Sequence, residues 1–307
     1  MADGPLVAII VNYRTPAQTI ACVRALASGT VAPDEIVVVD NGSKDGSVDR
    51  LAELEGVTVL ASRENRGFSG GCNLGIRHAV SRDAARIFLV NSDAVIAPDC
   101  LARLVAALDG DPTVGIVGPA VLTPGARPAV ESTGIFYSPV TGRMINRSHG
   151  LAQGAIAGVV LPPPDAVSGC AMLVRRDVFD DVGLFDEAYF FYFEDVDLCL
   201  RARAAGYGVA CVTAASVAHV GAGTIGVASP HRIYFAVRNH LRLARIAAPR
   251  ATTSHAALRA CAIVGFNLAH VLVTAPVPRA RGLYALVRGV VDHVLGRYGE
   301  GSPARAA

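Results

Sequence analysis

The chain predicts an α/β fold built on a mainly parallel sheet covered by helices on both faces. Three observations predict it. Short apolar runs such as Leu6 to Asn12 and Glu35 to Asp40 lack the polar alternation of a half-exposed strand, as expected where both faces are buried. Each run is followed by a segment with helical spacing. The polar and charged residues that carry chemistry fall just after the runs, at the carboxyl ends where such sheets bind ligands. With 307 residues, the chain has length for one large domain or two modest ones and needs no disulfide framework.

The elements follow in order. Leu6 to Asn12 predicts a strand, and Pro16 to Ser28 a helix with Ile20, Val23 and Ala27 on one face. Glu35 to Asp40 is a second strand, Ser47 caps a short helix, Val57 to Ala61 is a third strand, and Gly70 to Val80 a helix. Ile87 to Val90 followed by Pro98 to Leu108 repeats the unit. From Ala120 to Pro164 glycine, proline and serine replace periodicity, which predicts an irregular, acceptor-facing segment. Gly169 to Arg175 is a strand, with a short helix from Asp177; an amphipathic helix ends near Gly206, and Val209 to Val212 is a short strand before His219.

Charge divides the chain near residue 230. From His231 onward eleven arginines face only Asp292 and Glu300, a net of +9, which leaves −7 for residues 1–230. Residues 231–307 are therefore read as a basic helical region beside a catalytic domain of residues 1–230. Its charge, with the apolar stretch Ala260 to Ala275, suits peripheral contact with anionic lipid; helices packed on the catalytic domain would look similar. No aromatic-interleaved basic motif points to nucleic acid. The seven cysteines form no C-x-x-C pair, against a zinc or redox motif and in keeping with a reducing compartment. Leu6 to Val11 is too short for a signal peptide or membrane span, so the expected location is the cytoplasm, with contact at the inner face of the cell membrane.

Two nucleotide signatures are missing. Asn12-Tyr13-Arg14-Thr15-Pro16 stands where G-x-G-x-x-G would follow the first strand, and no G-x-x-x-x-G-K-[ST] occurs. Asp40, ahead of Asn41-Gly42-Ser43, is suited to accept the N3 hydrogen of a uracil or thymine ring, or simply to cap a strand-to-helix turn. Asn65-Arg66-Gly67-Phe68-Ser69-Gly70-Gly71-Cys72-Asn73 sets three glycines and an arginine at a helix start, which suits a diphosphate or ribose, or simply a helix cap with a packing Phe68. Asp93, in Asn91-Ser92-Asp93-Ala94, is a strand-end carboxylate of the kind that binds Mg2+ or Mn2+ beside phosphate oxygens, or that simply caps the strand end. Glu194, Asp195 and Asp197 follow the aromatic run Phe190 to Phe193; carboxylates beside apolar rings are costly unless paired or used, although a helix dipole also favours them there.

In register and in order, these motifs resemble the family 2 glycosyltransferases of the GT-A fold, in particular the bacterial branch that includes rhamnosyltransferases. The resemblance runs from about Val7 to Asn239 and takes in Ser168-Gly169-Cys170-Ala171-Met172-Leu173-Val174-Arg175-Arg176, Gly183-Leu184-Phe185-Asp186-Glu187 and the later His219. It implies a Rossmann-like nucleotide-binding sheet in residues 1–119, an acceptor side with the catalytic base in 120–230, and a C-terminal helical extension. It also implies a donor site drawn from Asn12, Tyr13, Arg14, Asp40, Asn41, Arg66, Gly67, Asn73, Asn91 and Asp93, with Asp40 on the base and Asp93 on metal and diphosphate. Asp195 becomes the catalytic base, Glu194 its support, and His219 a second ligand for Mg2+ or Mn2+. Asn91 departs from the usual D-x-D pair.

The implied reaction is inverting transfer of a sugar from a nucleotide-diphosphate donor, dTDP-rhamnose or else a UDP-hexose, to a hydroxyl of a cell-surface polysaccharide or lipid-linked glycan. One carboxylate deprotonates the acceptor while a metal stabilises the departing diphosphate. A sugar-nucleotide nucleotidyltransferase would open with a Gly-rich loop and basic residue that this chain lacks. A non-catalytic scaffold would not need Asp93 and Asp195.

Overall fold

The computed structural model describes residues 4–221 and 228–301. The strand–helix alternation is present: β1 (Leu6–Asn12), α1 (Pro16–Ala27), β2 (Glu35–Asp40), α2 (Ser47–Ala52), β3 (Val57–Ala61), α3 (Gly67–Ser81), β4 (Arg86–Asn91), β5 (Ala94–Ile96) and α4 (Cys100–Gly110). The chain continues through β6 (Val114–Leu122), β7 (Val130–Ser132), the hairpin β8 (Phe136–Tyr137) and β9 (Met144–Ile145), β10 (Ala171–Arg175), α5 (Arg176–Val182), α6 (Glu194–Ala204) and β11 (Gly208–His219). Three helices close it: α7 (Pro230–Ile246), α8 (Thr253–Val273) and α9 (Arg279–Val294).

The main sheet has the order β3-β2-β1-β4-β10-β6-β11-β5, with β7 beside β6. Strands β3, β2, β1 and β4 are parallel, β10 runs against β4 and β6, and β11 is parallel to β6. Successive side chains of a strand point to opposite faces, so each strand supplies two cores. Val7, Ile9, Val37, Val39, Ile87 and Leu89 pack with Ile76 of α3 and Val196 of α6. Leu6, Ala8, Ile10, Ile36, Val38 and Phe88 pack with Leu26 of α1 and Leu104 of α4. The mixed sheet flanked by helices is the α/β class expected.

Three local readings need correction. Ser47 is the first residue of α2 rather than its cap; Asp45 Oδ1 accepts from the Ser47 amide at 3.1 Å, so an aspartate turn starts the helix. The segment from Ala120 is less irregular than its composition predicts, because β6 extends to Leu122 and pairs with β7. The strand predicted at Val209 to Val212 runs on to His219, with a register shift between Val212 and Ser216 that local periodicity does not reveal. The basic region begins at α7 as charge suggests, yet α7 is no loose appendage: Arg238 and Asn239 are fully buried and bond to the α/β part. Arg305, counted in the basic tail, lies outside the described residues.

Candidate active site

The strand ends bring the sequence candidates to one side of the sheet. Asn12 ends β1 and Asp40 ends the paired β2 in the same register. The Asn12 amide donates to Asp40 Oδ2 at 2.8 Å and to Ser43 Oγ at 3.2 Å, and its oxygen accepts from Thr19 at 2.8 Å. Asp40 Oδ1 accepts from the Ser43 amide at 3.0 Å. Asn12 and Asp40 are both buried, so they form the floor of the turn. In front of them Tyr13 is half-buried and Arg14 exposed, with the Arg14 guanidinium 5.1 Å from the centre of the Tyr13 ring. Arg14 takes a left-handed φ of 58°, which its amide's 2.9 Å bond to Ser43 Oγ helps to hold.

The next group turns inward. The Asn41 amide donates to Asn65 Oδ1 and to the Gly67 carbonyl, and its oxygen accepts from the Arg66 amide. Gly67 has φ +71°, and a Cβ there would lie 2.3 Å from the Phe190 carbonyl oxygen, so only glycine fits. Arg66 pairs with Glu187 at 2.8 Å. Asn73, on α3, bonds both amide and carbonyl of Phe185 and also Glu187 Oε1, with 1% of its surface exposed. In this structure Asn41 holds the start of α3 through Asn65, Arg66 and Gly67, while Asn73 and the Arg66 side chain hold the segment 185–187 against α3. Asn73 in particular presents no exposed group to a donor.

That segment leads to the carboxylates. Phe190, Tyr192 and Phe193 have φ of 62°, 73° and 71°, strained for aromatic residues at about 1–3 kcal/mol each. The turn is held from two sides. The Phe68 amide donates to the Phe190 carbonyl at 2.7 Å, and the Asn239 amide of α7 donates to the carbonyls of Tyr189, Phe191 and Tyr192 at 2.8, 2.7 and 3.1 Å. Arg238 adds a bond to Tyr189 and orients Asn239 through its carbonyl oxygen at 2.9 Å. Sequence reading missed this function of Asn239, because only folding makes it a neighbour of residues 47 to 50 positions earlier.

Asp195, in the first turn of α6, accepts from the Gly169 amide at 2.7 Å and from the Val196 amide at 2.8 Å. Burial raises its carboxyl above the usual range, against the pull of those donors. Glu194 is buried, and its Oε2 has no hydrogen-bond partner. Burial raises it well above the usual range, and the Asp195 charge pushes the same way. Asp197 faces inward to Tyr189 and Arg201 instead.

Asp195 and Asp93 are linked through adjacent strands. The residue bonded by Asp195, Gly169, precedes Cys170, whose carbonyl accepts from the Asn91 amide at 2.9 Å. Asn91 is two residues before Asp93, and its buried Oδ1 has no partner. Asp93 Oδ1 lies 3.5 Å from His219 Nε2, while His219 Nδ1 lies 3.5 Å from Glu131 Oε2 of β7. Asp93 and then Glu131 raise the imidazole to about 9, against its partial burial. Glu131 carries no local sequence signal, since it lies in the segment predicted to be irregular. Among the described residues no cluster of three or more His, Cys, Asp or Glu is arranged around a metal position. Asp93 and His219 nevertheless meet, and one carboxylate with one imidazole fits a divalent ion whose other positions are filled by phosphate oxygens. The cavity of about 680 Å³ between α7, α8 and α9 and that of about 460 Å³ beside Arg127 and Gln153 are lined by none of these groups.

Comparison with known proteins identifies the family and the fold. Over 198 residues the chain is 29% identical to the low-salt glycan biosynthesis hexosyltransferase Agl10 of Haloferax volcanii, covering 64% of this chain and 60% of that protein. It thus spans less than two thirds of that relative. Over 229 residues it is 28% identical to an N-acetylglucosaminyl-diphospho-decaprenol L-rhamnosyltransferase of Mycobacterium tuberculosis, covering 66% and 71%. The fold matches that of the mannosyltransferase PcManGT from Pyrobaculum calidifontis, solved with GDP-Man and Mn2+, with a TM-score of 0.57 at 18% identity over 96% of this chain and 88% of that one. Residues 7–183 match the model of glycosyl transferase family 2, and the chain belongs to that family; bacterial rhamnosyltransferases are among the proteins it resembles.

Proposed function

We propose that the chain is an inverting, metal-dependent glycosyltransferase that moves a sugar from a nucleotide-diphosphate donor to an acceptor hydroxyl. The observation that carries this reading is Asp195: a carboxylate with raised proton affinity, fixed by two backbone amides and joined through Gly169 and Cys170 to the strand end bearing Asp93. A fixed carboxylate of raised pKa has the character of a general base. Asp195 takes the acceptor proton, and the buried Glu194 beside it supports it. Tyr13 and Arg14 border the nucleobase over a floor set by Asp40, with Asn41, Gly67 and Asn73 acting through the turns they hold. Asn91 serves the diphosphate through its side-chain N–H group, which donates to a phosphate oxygen.

Asp93 and His219 would hold Mg2+ or Mn2+, which when bound neutralises charge on the leaving diphosphate. The Mn2+ bound to the Pyrobaculum protein supports a divalent ion. The rhamnosyl relative favours dTDP-rhamnose as donor, with a UDP-hexose second, and a lipid-linked glycan or growing cell-surface polysaccharide as acceptor. A lipid-linked acceptor in turn favours peripheral contact of residues 231–307 with the inner face of the cell membrane. The test is incubation of purified protein with dTDP-rhamnose or UDP-sugars, with and without Mn2+ or Mg2+, and the anomeric configuration of the product by NMR. Inverted product that disappears with chelator is expected; retained configuration or chelator-resistant transfer overturns the reading.

A further inference from the structure

Helices α8 and α9 present an apolar surface that nothing among the described residues covers. The only Arg, Lys, Asp or Glu of α8 is Arg259, which is buried and donates to the Pro139 carbonyl at 2.8 Å. The outer side of α8 therefore carries no formal charge at neutral His, while Leu258, Phe266, Leu272 and Val273 are exposed, Val273 by 81%. On α9 the exposed Leu283, Tyr284, Val287, Val291 and Val294 continue into Leu295. At about 100° per residue these six occupy an arc of roughly 120°, opposite the face that buries Gly282, Ala285, Leu286 and Gly289. Helix α9 is apolar on both sides, and among the described residues only one side has a partner.

Arginines border this stripe. Arg279 falls at one edge, and Arg281 and Arg288 at the other. Arg279 and Arg281 are exposed and make no ion pair among the described residues. A surface so built suits a partner that is apolar at depth and negatively charged above. A second copy would bring two basic faces together, and an apolar protein groove would leave the arginines without a counterpart. Helix α8 is long and apolar enough to cross a membrane. Its Arg259 anchor and the packing of its Ile263 against Gly142 of the β8–β9 turn instead bind it lengthwise to the α/β body.

We propose that the outer face of α8 and α9 lies in the interfacial layer of an anionic phospholipid bilayer, Leu283, Val287, Val291 and Val294 entering the acyl boundary and Arg279 and Arg281 meeting the headgroups. This deepens the membrane contact proposed above by naming its face, and it holds whatever sugar is transferred.

The experiment is flotation of the full chain with phosphatidylcholine vesicles with or without 30% phosphatidylglycerol, alongside melting temperature and binding of dTDP and UDP. Wild type is expected to float with the anionic vesicles, less so in high salt, and to be released at alkaline pH. Val287→Glu with Val291→Glu changes only exposed positions and is expected to lower partition at least tenfold at unchanged melting temperature and nucleotide binding. Arg279→Gln and Arg281→Gln are each expected to lower it roughly fivefold. Equal flotation of wild type and the double variant overturns the proposal, as does flotation without anionic lipid, alkali-resistant insertion, or a wild-type dimer that the double variant abolishes. Loss of nucleotide binding by wild type would instead count against the transferase reading and leave the lipid result standing.

Discussion

The floor of the β1–β2 turn and the loop that carries Glu194 and Asp195 are both built of buried polar side chains, but they are held together over different distances. In the floor Asn12, Asp40 and Ser43 satisfy one another within about 30 residues of chain, at the ends of two paired strands. The carboxylate loop is held by Asn73, 112 residues before Phe185, and by Asn239, 50 residues after Tyr189. Geometry at the floor follows from two neighbouring strands. Geometry at the carboxylates depends on α3 and α7 both being docked, so the basic helical region is part of the apparatus that positions Asp195.

Breaking the chemistry without the scaffold should have the largest effect. Asp195→Asn keeps the side-chain shape and is expected to lower turnover by roughly two to four orders of magnitude at unchanged donor affinity and melting temperature. Near-normal turnover would remove the base and leave Asp195 a helix-terminus charge. On the other side of the site, Asp93→Asn is expected to weaken Mn2+ and donor binding together, on the order of a hundredfold, leaving residual transfer insensitive to added metal. Titration calorimetry with Mn2+ and the nucleotide diphosphate measures it; unchanged affinities would count against Asp93 as the ligand.

Asn239→Ala tests the long-range half of the comparison. Three backbone carbonyls lose their shared donor, and the left-handed aromatic turn loses one of its two supports. Turnover should fall about tenfold to a hundredfold, with a lower melting temperature and little change in donor affinity. Because Asn239 acts through Asp195, its effect should largely vanish in the Asp195→Asn background. Additive losses would show a purely structural role.

This contrast also explains what was legible in the sequence. The strand–helix units, the strand-end placement of Asp40 and Asp93, and the acids at the start of α6 all rest on periodicity and local order, and they appear where the residues predict. Asn41 and Asn73 have the composition of a phosphate loop, yet their amides bind the chain itself; sequence does not tell an amide facing a ligand from one facing a backbone carbonyl. Glu131 and Asn239 carried no signal, because their positions depend on β7 and α7 closing onto distant elements.

Glu194→Gln gives the smallest effect and the sharpest sign. A buried carboxylate with an unpartnered oxygen beside Asp195 is held in the fold at a cost in stability once ionised. Its folded pKa lies above 4.5, so the unfolded chain releases its proton first as pH rises, and the stabilisation present below that value is progressively lost toward the folded pKa. Glutamine does not titrate. The variant should therefore match wild type in melting temperature near pH 4 and exceed it increasingly toward neutral pH. Turnover should fall only a few-fold if Glu194 supports the base without exchanging protons with the acceptor. A variant less stable than wild type at neutral pH would mean that the carboxylate is ionised and paired in the fold; a loss as large as that of Asp195→Asn would move the catalytic proton to Glu194.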